Sequence, residues 1–199
     1  MTVYTVALFV HILGALSLFV GIGLQWATLV RLRQAQTMTQ VRDRSALVGV
    51  QERFPEIGLV LLLLAGGYMA TTGWSWTTPW ILVALGAFVV LGVVGGGLID
   101  RRLLAIRRAT TGAGADDSIP VALQARIADP VLWTALNIAG LLALGVVFLM
   151  TNKPDLFVSL LTLAVAIVLG VVLARPWRRP HVGAAPAEGV APRVSGDQG

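Results

Sequence analysis

Cysteine is missing from this sequence, and charged residues are scarce in it. None of the 199 residues is a cysteine, so disulfide bonds, thiolate metal sites and catalytic thiols are excluded. Only 13% of the residues are charged, whereas 56% are hydrophobic. A soluble domain of this length needs more charge to cover its surface, so we expect much of the chain to face lipid.

Charge is also missing from the interior of the apolar runs. Five runs are long enough to cross a bilayer, at roughly 3–30, 55–73, 79–99, 131–151 and 156–174. We therefore predict an all-α, polytopic transmembrane helical bundle of five spans within residues 1–177. From 178 to 199 proline, glycine and alanine dominate, which predicts a disordered cytoplasmic tail.

Lysine is nearly absent, and the position of the single lysine predicts the orientation. Lys153 lies between the last two runs, whereas all 14 arginines lie in the other loops and the tail. The positive-inside rule then predicts an N-out, C-in multi-pass protein of a bacterial cytoplasmic (inner) membrane. The arginines are expected to contact anionic headgroups of the inner leaflet, and no nucleic-acid platform is visible.

Tryptophans lie near both predicted boundaries of the bilayer. Three of them surround the short outer turn, and three lie near the inner boundary: Trp74, Trp76 and Trp80, then Trp26, Trp133 and Trp177. Because an indole has an apolar body and one N–H group, it prefers this depth. We expect all six to belong to aromatic belts.

Local signals predict several helix ends. Asp129 followed by Pro130 is a typical helix start, and Ser118 is a candidate cap for a short surface helix, PVALQARIAD. Pro55 and the residue after it start the second span. The triple glycine 95–97 is expected to permit close packing or a bend, since it lacks the context of a phosphate loop.

His11 is the most informative polar residue of the apolar runs. It shares a helical stripe with mostly small residues, which lets another helix approach closely. That stripe continues through Gly14, Ala15, Leu18, Gly21, Ile22 and Gln25. We therefore expect His11 to point into the bundle, with Tyr68 as its first hydrogen-bond partner and Asn137 as the second.

The chemistry of His11 has several interpretations. A neutral imidazole that hydrogen-bonds between helices is one, and a haem or copper ligand is another. A proton-relay or quinone-contacting role is a third. A second metal ligand would have to come from Met69 or Met150, or from His11 of a second copy in a homodimer; His181 lies on the opposite side.

Most activities have no support in the residues. No serine, histidine and acid combine into a hydrolase triad, so we do not expect an enzyme. No span contains the charged residue that ion-coupled transport needs, so a small transporter ranks below the other possibilities. No cofactor is predicted beyond the haem or copper alternative.

Two stretches resemble a known family. FVHILGALSLFVGIGLQW (9–26) is similar to the first span of an uncharacterised family of bacterial predicted integral membrane proteins, which open with a histidine and a small-residue segment. WTALNIAGLLALGVVFLMTNKP (133–154) resembles a later span of that family. The resemblance covers about a fifth of the chain and implies a polytopic membrane protein of unknown activity.

The same opening is more distantly similar to the copper-resistance D membrane domain and the protoporphyrinogen-oxidase-like membrane proteins. In some of these families intramembrane histidines bind haem or copper. The resemblance implies such a role for His11 alone, since no other histidine of this sequence lies in a span.

Overall fold

The computed structural model describes residues 2–46, 48–110 and 118–178, with only the backbone of Arg178. These residues form helices and no strand. The helices are α1 (Val3–Arg33), α2 (Met38–Ser45), α3 (Val48–Gln51), α4 (Arg53–Gly73), α5 (Pro79–Gly92), a π-helical segment (Val93–Asp100), α6 (Arg101–Ala109), α7 (Val121–Ile127), α8 (Pro130–Asn152), α9 (Leu156–Ala174) and a 3-10 turn (Arg175–Arg178).

Five helical runs of the described chain are long and apolar enough to span a membrane, which confirms the predicted all-α bundle of five spans. They follow one another along the chain as α1, α2–α4, α5–α6, α7–α8 and α9 with its turn. Their outer faces are apolar: Phe157 is 74% exposed and Leu64 is 69% exposed. Exposing so many large apolar side chains to water would be unfavourable, so we infer that lipid surrounds them.

The first two spans pack backbone against backbone through glycines. A Cβ atom added to Gly58 of α4 would lie 2.7 Å from the carbonyl oxygen of Gly14 and 2.6 Å from the amide nitrogen of Leu18. One added to Gly21 would lie 2.2 Å from Cδ of Pro55. The predicted small-residue stripe is therefore the α1 surface that α4 covers.

The last two spans use the same device. A Cβ atom on Gly170 of α9 would lie 2.7 Å from Cα of Ile138 in α8. The connection between α8 and α9 is short because Lys153 ends α8 in the left-handed conformation, with φ of 51°. Asp155 then caps α9 by accepting from the amide of Val158.

The helix ends follow the sequence signals in part. Asp129 caps α8 as predicted, accepting from the amide of Val131 at 2.8 Å, with Pro130 in the first turn. The short helix α7 also forms, but the prediction that Ser118 caps it is wrong. Pro120 precedes the first helical residue, and Ser118 instead forms an isolated antiparallel bridge with Thr37.

The triple glycine lies within the π-helical segment instead of at a helix contact. A Cβ atom added to Gly95 or Gly97 would meet nothing within 4 Å, so close packing does not explain these residues. π-helical turns widen a helix and recur at functional sites. The segment ends at Asp100, which is only 6% exposed.

Trp133 is a core residue, so its assignment to an aromatic belt is wrong. Its side chain is fully buried, stacks on Trp177 with the ring centroids 4.7 Å apart, and donates to the carbonyl of Ile127 at 3.1 Å. The Arg33 guanidinium lies 5.6 Å from the Trp133 ring centroid and donates to the Trp177 carbonyl. These contacts hold the 3-10 turn against α1 and α8.

Most of the predicted cytoplasmic tail, residues 179–199, lies outside the described residues, as does the segment 111–117. The helix ends nonetheless define two ends of the bundle, because consecutive spans are antiparallel. We call them the Lys153 end, where α1 begins and α8 ends, and the arginine-rich end, where α1 ends and α8 begins.

The glycine contacts predict the effect of a single methyl group. Gly21→Ala would force its new Cβ into the ring of Pro55, and overpacking of this kind costs about 1–3 kcal/mol. Gly23→Ala, two residues along the same helix, meets nothing within 4 Å and should be neutral or slightly stabilising. Equilibrium unfolding in mixed micelles measures both; equal stability of the two variants would contradict the close α1–α4 contact.

Candidate functional site

A cavity of about 350 Å³ opens beside His11 at the Lys153 end of the bundle. It lies among α1, α4, α5 and α8, and we call it the His11 cavity. Its described lining is mainly apolar and aromatic, with Lys153 as the only charged residue: Tyr4, Leu8, His11, Leu62, Leu63, Gly66, Gly67, Met69, Ala70, Trp74, Trp76, Trp80, Ile81, Ala84, Leu85, Phe88, Met150 and Lys153.

His11 crosses from α1 to α8 and touches α4. Its Nε2 atom lies 3.5 Å from Sδ of Met150. Because a thioether only accepts hydrogen bonds, this contact needs the tautomer with hydrogen on Nε2. Nδ1 is then an acceptor; it is buried without a hydrogen-bond partner, against α4, where a Cβ added to Gly66 would lie 3.2 Å away.

The structure does not bring Tyr68 or Asn137 to His11. Tyr68 is 39% exposed on α4, and its backbone carbonyl accepts from Thr71 and Thr72. The Asn137 amide donates to the carbonyl of Trp133, four residues earlier in the same helix. The contact that His11 makes across to α8 is with the sulfur of Met150, a residue that the sequence suggested as a metal ligand, and the Leu62 carbonyl of α4 also acts on the ring.

The mouth of the His11 cavity carries a positive charge held over an aromatic ring. Nζ of Lys153 lies 4.4 Å from the centroid of Trp74, which packs edge-on against Trp80. Lys153 adopts the left-handed conformation that glycine and asparagine adopt at lower cost. The described lining contains no carboxylate to neutralise this charge.

The donor atoms near His11 fit one metal geometry better than another. Ordinary metal–nitrogen and metal–sulfur lengths separate a trans pair by roughly 4.3 Å, but a pair at a near-tetrahedral angle by only about 3.5 Å. The Nε2–Sδ distance of 3.5 Å matches the bent arrangement and does not fit axial ligation across a haem plane. The described chain holds no group of three histidine or acidic residues suited to a metal ion.

A second cavity, of about 250 Å³, lies at the arginine-rich end. We call it the acidic cavity, because Glu56 and Asp100 both line it. Gln25 donates from Nε2 to Oδ1 of Asp100 at 2.8 Å, and both side chains are buried. Gly95 and Gly96 of the π-helical segment form one wall.

A third carboxyl group belongs to the same region. Glu52, at the start of α4, is only 9% exposed, and its Oε1 atom has no hydrogen-bond partner. It interacts electrostatically with Asp100 and Glu56, and also with Arg107. Asp100 and Glu56 repel a negative charge on Glu52, and Arg107 offsets part of that repulsion.

Sequence reasoning missed the acidic cavity. The hydropathy pattern placed Asp100 just beyond a span, at a boundary where charge is expected in water. The hydropathy pattern does not show that the α2–α3 segment folds back beside α1. This contact is seen where the Thr28 hydroxyl donates to the Gln51 side chain at 2.8 Å. The available signal was Gln25, an amide on the buried stripe of α1 that required a partner.

Comparisons with known proteins place the chain in a family but give it no activity. Searches of curated proteins and of solved structures each found no significant match. A family model described as "Predicted integral membrane protein (DUF2269)" matches residues 5–154, which run from the first turn of α1 to beyond the end of α8 and include every lining residue of both cavities except Tyr4. The chain therefore belongs to the DUF2269 family of predicted integral membrane proteins, as the resemblance of its first and fourth spans indicated.

Proposed function

We propose that the protein binds an amphiphile with an acidic head, taken from the membrane, in the His11 cavity. One observation carries this proposal: an apolar cavity of about 350 Å³ has a lysine as the only charge in its described lining. Cavities of this size that combine apolar walls with few polar groups are typical of small-molecule sites.

The apolar wall accounts for the shape of the ligand. Leu62, Ile81, Ala84 and Phe88 line the cavity beside the imidazole of His11. Because such a ligand arrives from lipid and not from water, these contacts contribute shape complementarity and little hydrophobic free energy. Affinity and selectivity therefore depend on the head group.

The mouth accounts for the chemistry of the head. The ammonium group of Lys153 lies over Trp74, and indole N–H groups and the Tyr4 hydroxyl are available nearby. All of these groups donate hydrogen bonds. A carboxylate or phosphate therefore fits better than a cation, and a hydrogen bond to a charged group contributes about 1.5–3 kcal/mol.

Matched amphiphiles test the proposal. Dodecanoate should bind the protein in phosphatidylcholine nanodiscs about tenfold or more tightly than dodecanol, measured by competition with a fluorescent fatty acid. Lys153→Gln should remove that difference because it removes the charge, whereas Lys153→Arg should keep it. An acid and an alcohol that bind equally well would refute the role of Lys153; dodecyl phosphate reports whether phosphate heads are also accepted.

A second candidate function is the binding of monovalent copper. The 3.5 Å separation of His11 Nε2 and Met150 Sδ favours it, and Met69 lines the same cavity. Imidazole and thioether groups are the ligands that Cu(I) prefers. The Leu62 carbonyl, which acts on the imidazole ring, would accept a hydrogen on Nδ1 if Nε2 held the metal.

Copper binding has a different mutational signature. Cu(I) titration with a chromophoric chelator should give one site per chain, and His11→Ala or Met150→Leu should each weaken it at least tenfold. Lys153→Gln should leave it intact. A Cu(I) affinity that is unchanged in Met150→Leu would rule out this pair of ligands. The proposal that dodecanoate binds does not depend on the result of this titration.

We also propose that the Lys153 end faces the outside of a bacterial inner membrane and the arginine-rich end faces the cytoplasm. All 14 arginines lie in segments assigned to one side by the order of the spans, and Lys153 lies on the other. This asymmetry supports an N-out, C-in orientation, with arginines near anionic headgroups.

Reporter fusions test the orientation. β-Galactosidase fused after position 112 should be active because that connection is expected in the cytoplasm, and alkaline phosphatase fused there should be inactive. The pattern should reverse for fusions after Lys153, in the opposite turn. Identical activity of both reporters at both positions would contradict a single orientation.

A further inference from the structure

The acidic cavity combines carboxyl groups with apolar walls, and burial makes charge costly there. Asp100 is 6% exposed and Glu52 is 9% exposed, and Glu56 stands at the edge of the cavity. A buried carboxylate is stable only where hydrogen bonds or an opposite charge compensate it. Gln25 supplies one hydrogen bond to Asp100, and Oε1 of Glu52 receives none.

The π-helical segment opens the space beside these carboxyl groups. A Cβ atom added to Gly96 would lie 4.0 Å from Oδ2 of Asp100, so the missing side chain leaves that oxygen accessible from the cavity. Gly92 and Gly95 line the same wall, and Leu18, Ile22 and Leu59 line the other parts. An occupant would therefore meet negative charge at one side and hydrocarbon elsewhere.

The surroundings favour an organic cation over a metal ion. Within the described part of the chain, no three acidic or histidine side chains are grouped to enclose a metal. Most of the lining consists of glycine, leucine, isoleucine, proline and alanine, which cannot replace the hydration shell of an inorganic ion. A substituted ammonium ion needs no such shell, and its apolar body matches these walls.

We propose that the acidic cavity is a binding site for a small lipophilic organic cation, whose positive charge is received by Asp100 and Glu56. Asp100 contacts the cation directly, because it lines the cavity. Glu56 lines the same cavity, and Gln25 fixes the orientation of the Asp100 carboxylate. This site is separate from the His11 cavity and does not depend on the function proposed for it.

A pair of isosteric probes separates charge recognition from apolar binding. Benzyltrimethylammonium carries the cation, and neopentylbenzene has the same shape without charge. We expect the protein in phosphatidylcholine nanodiscs to bind the cation at least tenfold more tightly than the hydrocarbon, measured by equilibrium dialysis against empty nanodiscs. No binding of the cation, or equal binding of the two probes, would overturn the proposal.

Charge-removing variants assign the site. Asp100→Asn and Glu56→Gln keep the side-chain shape, and the amide oxygen that replaces the Asp100 carboxylate would still accept from Gln25. Each variant should weaken binding of the cation at least tenfold. Asp155→Asn, at the Lys153 end, is the matched control and should change nothing, since asparagine also caps helices. If one variant fails to fold, as judged by size exclusion, the other decides; unchanged affinity in a folded variant would refute the assignment.

Discussion

The close contact between the backbones of α1 and α4 is the constraint on which the rest of the structure depends. Gly14 and Gly58 face each other, and Gly21 receives Pro55, so no side chain separates the two helices there. In lipid such contacts replace the hydrophobic effect, which provides little driving force between apolar helices. The register of these contacts determines which residues of α1 and α4 face each other towards the two ends of the bundle, and one cavity lies towards each end.

The two cavities differ in charge because different segments close them. Towards the Lys153 end, α8 brings Met150 to His11 and places a single cation at the mouth. Towards the arginine-rich end, the start of α4 and the π-helical segment bring Glu56 and Asp100 to one cavity with Gln25. One helix pair thus supports the site proposed for an acidic head and the site proposed for a cation, at opposite ends of the bundle.

The arginines at the arginine-rich end have different surroundings. Most arginines there are exposed or half-buried, as expected for headgroup contacts. Arg33 is different, because its guanidinium packs on the buried ring of Trp133 and the half-buried ring of Trp177. That packing is a cation–π arrangement, which gains strength where water is excluded, and it anchors the end of the fifth span.

Much of the fold was predictable because hydropathy and turn chemistry act locally. The number of spans, the helix start at Asp129 and the inward stripe of His11 follow from residues close together in the sequence. The predictions for Ser118 and Trp133 are wrong because the contacts of these residues are not local. Their surroundings come from Thr37 and Trp177, which the sequence does not place beside them.

By itself, then, the sequence determined a five-span membrane protein with an imidazole turned towards its neighbours, since those features depend on apolar length and helical period. Only the tertiary structure decided the partners. It gave His11 the sulfur of Met150 instead of Tyr68 or Asn137, and it buried Asp100 beside Gln25. The reason is physical: a polar atom in hydrocarbon takes whichever group the packed helices bring within reach, and helix register is set by side-chain size across the whole contact.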